Sequence, residues 1–276
     1  MPTVEEAICL GLLQGFTEFL PVSSSGHVLL AEMLLEVGRV DLQSPGRLAL
    51  QALASLGALT AAVIFFRARL VVLARELGRC LTARRWPVPG SPGFDALSVL
   101  IVSLPACILT LLCERTWTRW QSKPLVLGFG FIVTALALTS TLWTRPANRS
   151  SASPLSLLAM GIAQGCAGAP GLSRIAANAS AVLWLRLRAE PALELGVLTT
   201  LLPLATGAIV QLSRAEQLLS GAWPSILAAG VVSLLAASLG LRLLRRAMLD
   251  GLIAWFALWV LPLALATLAL AKAWPH

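Results

Sequence analysis

The residues best able to do chemistry stand in one run, Gln14-Gly-Phe-Thr-Glu18-Phe-Leu-Pro21-Val-Ser23-Ser24-Ser25-Gly26-His27. Apolar sequence flanks it: Ile8 to Leu13 runs in and Val28 to Leu35 runs out. A second polar cluster, Pro170-Gly171-Leu172-Ser173-Arg174 with Asn178 just beyond, interrupts the apolar stretch Leu155 to Leu185. Ionisable groups inside apolar membrane segments are costly, which makes Glu18, His27 and Arg174 candidates for a site. The serines Ser23, Ser24, Ser25 and Ser173 are helix N-cap residues. Free N–H groups and the helix dipole at such a start favour an anion. Arg174 adds a planar fork suited to phosphate, and Asn178 would join the phosphate-binding set. Glu18 reads as the only carboxylate at this depth. An anion site needs a carboxylate if it holds a metal or moves a proton, and Mg²⁺ or Ca²⁺ shared between a carboxylate, substrate phosphates and water fits both needs. Ser24 and His27 lie three apart at a helix start and share a face, as a nucleophile and its base would. These types and spacings predict a lipid-phosphate or lipid-diphosphate site within a membrane.

The flanking elements must hold these residues at depth. Each arm of the first stretch is a helix of about ten residues, whereas roughly 20 are needed to cross a bilayer. Pro21 stops the first arm, so the pair reads as a hairpin that enters the membrane and returns on the same side. Irregular backbone at that depth survives only where it lines a cavity or is buried in protein. Gln14 and Gln164 read as partners for hairpin backbone.

Composition agrees: the 276 residues are 57% hydrophobic and 12% charged, which is a polytopic membrane protein rather than a soluble globule. The net charge of +8 sits mostly in loops, so it reads as a topology signal and not as a nucleic-acid surface. The cysteines Cys9, Cys80, Cys107, Cys113 and Cys166 have no metal spacing, and the four in apolar stretches act as small hydrophobes. The start, Met-Pro-Thr-Val-Glu5-Glu6, lacks the basic region of a secretory signal.

In order, the hairpin (about 5 to 36) is followed by a polar link with Arg39, Asp41 and Arg47. Spans follow at Leu48 to Phe66, Ala96 to Cys113 and Pro124 to Trp143, with an amphipathic surface helix at Val71 to Leu81. After a polar joint at Thr144 to Ser153 the pattern restarts. The hairpin Leu155 to Leu185 precedes spans at Glu194 to Leu212, Ala222 to Leu244 and Leu252 to Ala271. A shift of 150 lays Gln14-Gly15 on Gln164-Gly165 and Ser23 on Ser173. The expectation is an all-α polytopic membrane protein in one domain, 1–276, made of two repeats (about 1–147 and 148–276). Three crossings per half, an odd number, would invert the halves, and such repeats place their site at the midplane. The loop holding Arg67, Arg69, Arg75, Arg79, Arg84 and Arg85 reads as cytoplasmic, with both termini outside.

The run Gln14-x-x-x-Glu18 followed by Leu20-Pro-Val-Ser23-Ser24-Ser25-Gly26-His27 resembles the first signature of the bacterial undecaprenyl-diphosphatase family linked to bacitracin resistance. Pro170-Gly171-Leu172-Ser173-Arg174 resembles its second, with Ile175, Ala176 and Asn178 where the family has serine, glycine and threonine. The resemblance implies two re-entrant hairpins and six spans. It implies a multi-pass inner-membrane hydrolase that cuts undecaprenyl diphosphate to the monophosphate on the periplasmic side with a divalent cation, recycling the lipid carrier of peptidoglycan. On these positions, Glu18 and Gln14 would serve the metal, Ser24 or His27 would be nucleophile or base, and Arg174 would hold phosphate. A bound water is the other candidate nucleophile. Gln14 brings no charge to the metal. The partners implied are the polyprenyl diphosphate substrate and membrane lipid, with no nucleic acid. A homodimer and the exact prenyl length are left open. Because inverted repeats with broken helices are also transporter architecture, a polyprenyl-phosphate flippase and an inactive lipid-phosphate-binding relative are the alternative readings.

Overall fold

The computed structural model describes residues 3–35, 44–145, 147–215 and 223–273, and the statements below concern these residues. Arg39 and Asp41 of the expected link, and Ala222 at the expected start of a span, lie outside them. The described chain is helical, with one isolated bridge between Arg149 and Leu187 as its only β pairing. The first hairpin is α1 (Val4–Glu18) and α2 (Ser24–Leu35). It leads to α3 (Pro45–Phe65), α4 (Arg67–Thr82), α5 (Pro92–Gln121) and α6 (Pro124–Ser140). The second is α7 (Pro154–Cys166) and α8 (Arg174–Trp184), leading to α9 (Ala189–Ala215), α10 (Trp223–Leu249) and α11 (Ala257–Ala273).

Among the described residues, six stretches are long and apolar enough to cross a membrane: α3, α5, α6 with its 3-10 extension to Trp143, α9, α10, and Ile253–Lys272 around α11. The chain is a multi-pass membrane protein. The hairpin helices have 15, 12, 13 and 11 residues. At ~1.5 Å per residue the longest covers about 22 Å, short of a hydrocarbon core of ~30 Å. Each first arm packs against its own second arm, so both hairpins turn back.

Local chemistry sets the ends. Thr3 and Glu6 form a reciprocal capping box that starts α1. The helix stops at Glu18, ahead of Pro21, whose ring disfavours helix in the residue before it. In α4, Leu70, Leu73 and Leu77 turn toward the core while Arg75 and Arg79 stay exposed, which is the expected amphipathic helix.

Three spans run three or more residues past their expected ends, α10 reaching Leu249 where Leu244 is expected. The span expected to close at Cys113 continues to Gln121, and the one expected at Leu212 continues to Ala215. Charge at Glu114 and Arg214 limits what lipid can cover but does not break a helix. The extensions of α5 and α9 carry Glu114, Trp117 and Arg214 to the site.

The two halves interlock. Helix α10 packs on α1 and α3, while α5 packs on α7 and α9; α3 meets α9, and α6 meets α11. In lipid there is little hydrophobic gain from joining apolar helices, so close van der Waals approach by small residues does the work. Gly11 and Gly15 lie on Ala229 and Ser233 of α10. Their counterparts 150 positions on, Gly161 and Gly165, lie on Val102, Ala106 and Leu109 of α5. A Cβ on Gly57 would stand 2.1 Å from the Gly230 carbonyl oxygen, inside any real contact. Gly57→Ala should therefore lower thermal stability in detergent by about 1–3 kcal/mol, the usual cost of overpacking. A Cβ on Gly78 of α4 meets nothing within 4 Å. Gly78→Ala should be neutral or stabilise by up to ~1 kcal/mol, because Ala is the better helix former. Equal melting of the two variants would show that the α3–α10 contact is not close.

Candidate active site

The two hairpin tips meet. Arg174, the first residue of α8, donates from Nη2 to Glu18 Oε1 at 3.0 Å, and Ser24 Oγ donates to the other oxygen, Oε2, at 2.8 Å. One carboxylate at the end of α1 therefore joins the starts of α2 and α8. The Glu18 side chain is 7% exposed and that of Arg174 is 24%, so the pair is sealed on one side and open on the other. The opening is a cavity of about 210 Å³ lined by Glu18, Ser23, Ser24, Ser25, Ser173 and Arg174, and across from them by residues of α3, α5 and α9.

Both helix starts are built alike. Ser23 Oγ accepts the Gly26 N–H at 3.2 Å, and Ser173 Oγ accepts the Ala176 N–H at 3.1 Å. Each cap satisfies the third N–H of its helix. The first two, of Ser24 and Ser25 in α2 and of Arg174 and Ile175 in α8, have no acceptor within the helix, because none exists before the first turn closes. All four residues line the cavity. Two dipoles and a guanidinium thus face one space, an arrangement suited to an anion such as a phosphoryl group.

Helix α6 supports both tips. Thr134 Oγ1 donates to the Gly171 carbonyl at 2.9 Å and accepts the Ser173 N–H at 3.1 Å. Gly171 has φ +80, and a Cβ there would lie 2.3 Å from the Leu127 carbonyl oxygen. This turn needs glycine for its backbone angle and for its approach to α6. The fully buried Phe131 ring fills the space under Gly26 and meets His27 edge-on at 5.7 Å. Trp117 of α5 lies over Gly168 beside the second tip.

Three expected site residues are placed elsewhere. His27 is not beside the cavity. Its Nε2 takes the indole N–H of Trp259 at 2.9 Å. Indole only donates, so that nitrogen is the acceptor and Nδ1 carries the proton toward the Ser23 carbonyl, 2.8 Å away. The two rings lie parallel within 3°, with centroids 6.3 Å apart. Neither imidazole nitrogen is free to take the Ser24 proton. His27 instead holds Ser23, a non-glycine residue at φ +70, in the turn that aims α2.

Asn178 is fully buried and outside the cavity. Its Nδ2 reaches Gln164 Oε1 at 2.7 Å, the Gly196 carbonyl at 2.9 Å and Thr199 Oγ1 at 3.1 Å. It ties α8 to α7 and α9, away from the cavity where a phosphate was expected.

Gln14 does not line the cavity either. Its amide donates to Ser55 Oγ at 2.8 Å and to the Gln51 carbonyl at 3.2 Å, so it braces α1 against α3. Gln164 does the same for α7, donating to the Thr199 carbonyl at 2.9 Å. That carbonyl also accepts from Ser103 at 3.0 Å. It is free because Pro203, four residues on, has no N–H to give it. Both glutamines thus bond the following span and not the hairpin backbone.

Glu18 is not the one carboxylate at depth. Glu32 is buried in an ion pair with Arg47, and Glu114 lines the cavity. In the sequence, Glu114 and Arg214 lie just past the expected span ends at Cys113 and Leu212, and nothing local marks them as facing Arg174. Among the described residues no three of His, Cys, Asp and Glu cluster as a metal cage. The donor set fits an ion that needs one or two carboxylates and takes its other ligands from phosphate and water, as Mg²⁺ does.

The family described as "Bacitracin resistance protein BacA" matches residues 7–266 of this chain. An undecaprenyl-diphosphatase of Treponema denticola is 28% identical, over 95% of this chain and 96% of that protein. One of Synechococcus is 31% identical over 86% and 84%, and one of Thermotoga petrophila is 32% identical over 73% and 76%.

Asn178→Ala should destabilise the folded protein by about 1–3 kcal/mol, the cost of stranding its buried acceptors. Thermal unfolding in detergent measures this, and phosphate affinity of the folded fraction should not change. A loss of phosphate affinity without a loss of stability would return Asn178 to the binding site.

Proposed function

The chain belongs to the bacitracin resistance protein family BacA, and from that membership we propose that it is an integral membrane phosphatase that hydrolyses undecaprenyl diphosphate to undecaprenyl phosphate and inorganic phosphate. The observation that carries this reading is the Ser24–Glu18–Arg174 bridge set between two helix N-termini in one cavity. The product is the lipid carrier consumed in peptidoglycan synthesis.

The residues divide the work as follows. The free N–H groups at the starts of α2 and α8 bind the oxygens of the terminal phosphate, and the Arg174 fork stabilises the charge that gathers on them in the transition state. Ser24 Oγ attacks the terminal phosphorus while the bond to the bridging oxygen breaks, and the lipid leaves as its monophosphate. The Ser24 proton passes to Glu18 Oε2, which already accepts it as a hydrogen bond. Water then attacks the phosphoserine, phosphate departs, and the proton returns to Ser24 Oγ. A divalent cation, Mg²⁺ or Ca²⁺, entering with the diphosphate would be held by Glu18. When bound it supplies charge neutralisation and polarises phosphoryl oxygens. His27, through Ser23, positions this machinery.

The halves are inverted in this reading, and the cavity opens to the outer face of the inner membrane. Helix α3 begins there while α5 and α9 end there, and the loop rich in arginine between Arg67 and Arg85 faces the cytoplasm. In a variant with Cys80 as its only cysteine and another with only a cysteine at Arg119, an impermeant reagent should label the second alone in intact cells. Labelling of both would overturn the inverted arrangement.

Phosphate release by purified protein in detergent tests the activity, since a protein that only carried lipid would release none. Arg174→Lys keeps charge but loses the fork, and Glu18→Gln loses the carboxylate. Each should cut turnover at least ~100-fold, the scale of losing one transition-state contact. Excess chelator should abolish turnover. Acid-quenched enzyme should carry phosphate on Ser24, and Ser24→Ala should not. Substantial turnover in Ser24→Ala would make water the nucleophile, and near-normal turnover in Arg174→Ala would place the phosphate elsewhere.

A further inference from the structure

The cavity holds a second ion pair, which the mechanism above leaves unused. Arg214, in the last turn of α9, donates from Nη2 to Glu114 Oε1 of α5 at 2.8 Å. Both residues line the space that Glu18 and Arg174 line. Their side chains are 42% and 29% exposed, whereas Glu32 and Arg47 are sealed at 9% each. The outer pair can therefore be reached and exchanged by a ligand. Gln211 stands one turn before Arg214 on the same wall. Its Oε1 is buried without a hydrogen-bond partner, and its Nε2 has only a long 3.4 Å contact with Gln51 Oε1. Buried polar atoms are nearly always paired. An orphaned amide oxygen on a cavity wall marks a place that a ligand or its water completes. Rotating the amide turns its N–H groups to the cavity and gives up that long contact, and the Gln51 amide rotates with it to donate to the Gln211 oxygen.

Charge points the same way. Each arginine is balanced by one carboxylate, so these four groups sum to zero. A diphosphate brings two phosphoryl groups, each negative, and the terminal one is met by Arg174 and the helix starts. We propose that Arg214, with Gln211 beside it, is a second phosphate contact that binds the phosphoryl group remaining on the lipid, and so selects a diphosphate over a monophosphate. Arg214 leaves Glu114 for the phosphate when the diphosphate binds. It returns to Glu114 when only one phosphoryl group is left, which favours release of the lipid product.

This rests on the function proposed above, and the test separates the two. Full-length protein is purified in detergent and assayed for turnover of undecaprenyl diphosphate. Binding of inorganic diphosphate and of inorganic phosphate is measured calorimetrically on the same samples. Arg214→Gln should raise KM about tenfold, the effect of one lost charged contact, with a smaller fall in kcat. It should weaken inorganic diphosphate by a similar factor and leave inorganic phosphate unchanged. Arg214→Lys should recover part of the loss. Glu114→Gln removes the competitor, so it should lower KM and tighten inorganic diphosphate.

A purely structural ion pair predicts the opposite pattern, with Arg214→Gln and Glu114→Gln impaired alike. That result, or unchanged KM and diphosphate affinity in Arg214→Gln, overturns the proposal. If the unaltered protein releases no phosphate, the proposed function fails. The calorimetric comparison of diphosphate with phosphate still decides for or against Arg214.

Discussion

A carboxylate and a guanidinium held together in apolar surroundings organise this molecule. Neither Glu18 nor Arg174 could be left at that depth alone, because removing one partner of a buried pair strands the other at a cost of about 3–5 kcal/mol. The two lie 156 positions apart, on different hairpins. Their pairing therefore dictates that the tips meet, that α1 ends where α2 and α8 begin, and that two helix N-termini face the same space. The proposed chemistry rests on that geometry: free backbone N–H groups at two helix starts, one guanidinium fork and one hydroxyl hydrogen-bonded to a carboxylate.

The scaffold solves a backbone problem that the bilayer imposes. Broken helices expose N–H and C=O groups that lipid cannot satisfy. The protein answers with side chains from neighbouring spans and with a proline, Pro203, that releases a carbonyl. Thr134 pairs both a carbonyl and an N–H of the second tip. The Thr199 carbonyl, freed by Pro203, takes up Gln164 and Ser103. His27 and Trp259 lock the carbonyl of Ser23 in the first turn. The same polar residues that look catalytic in a list are, in three dimensions, largely occupied in holding irregular backbone. The chemistry is left to those that remain open to the cavity.

How far the sequence reached, and where it stopped, follows from the range of the forces involved. Span length, the short arms around Pro21 and Pro170, the serine caps and the amphipathic α4 are local matters. Hydropathy, helix period and capping chemistry specify them, so all were legible. So was the need for a counter-charge, since a lone Arg174 in an apolar hairpin demands one wherever it ends up. What a side chain faces is not local. His27 and Ser24 share a helix face in sequence, yet Trp259, 232 positions away, decides that the imidazole points to backbone. Asn178 follows the second tip by a single helical turn, but the packing of α8 on α9 turns it inward. Glu114 and Arg214 lie just past the expected span ends, and only the unbroken extension of α5 and α9 brings them to the cavity wall. The sequence by itself determined the helices, their breaks and the charges that had to be neutralised at depth. The tertiary structure alone decided which polar groups were spent on satisfying backbone and which stayed free to meet a substrate, because that choice depends on neighbours brought together from distant parts of the chain.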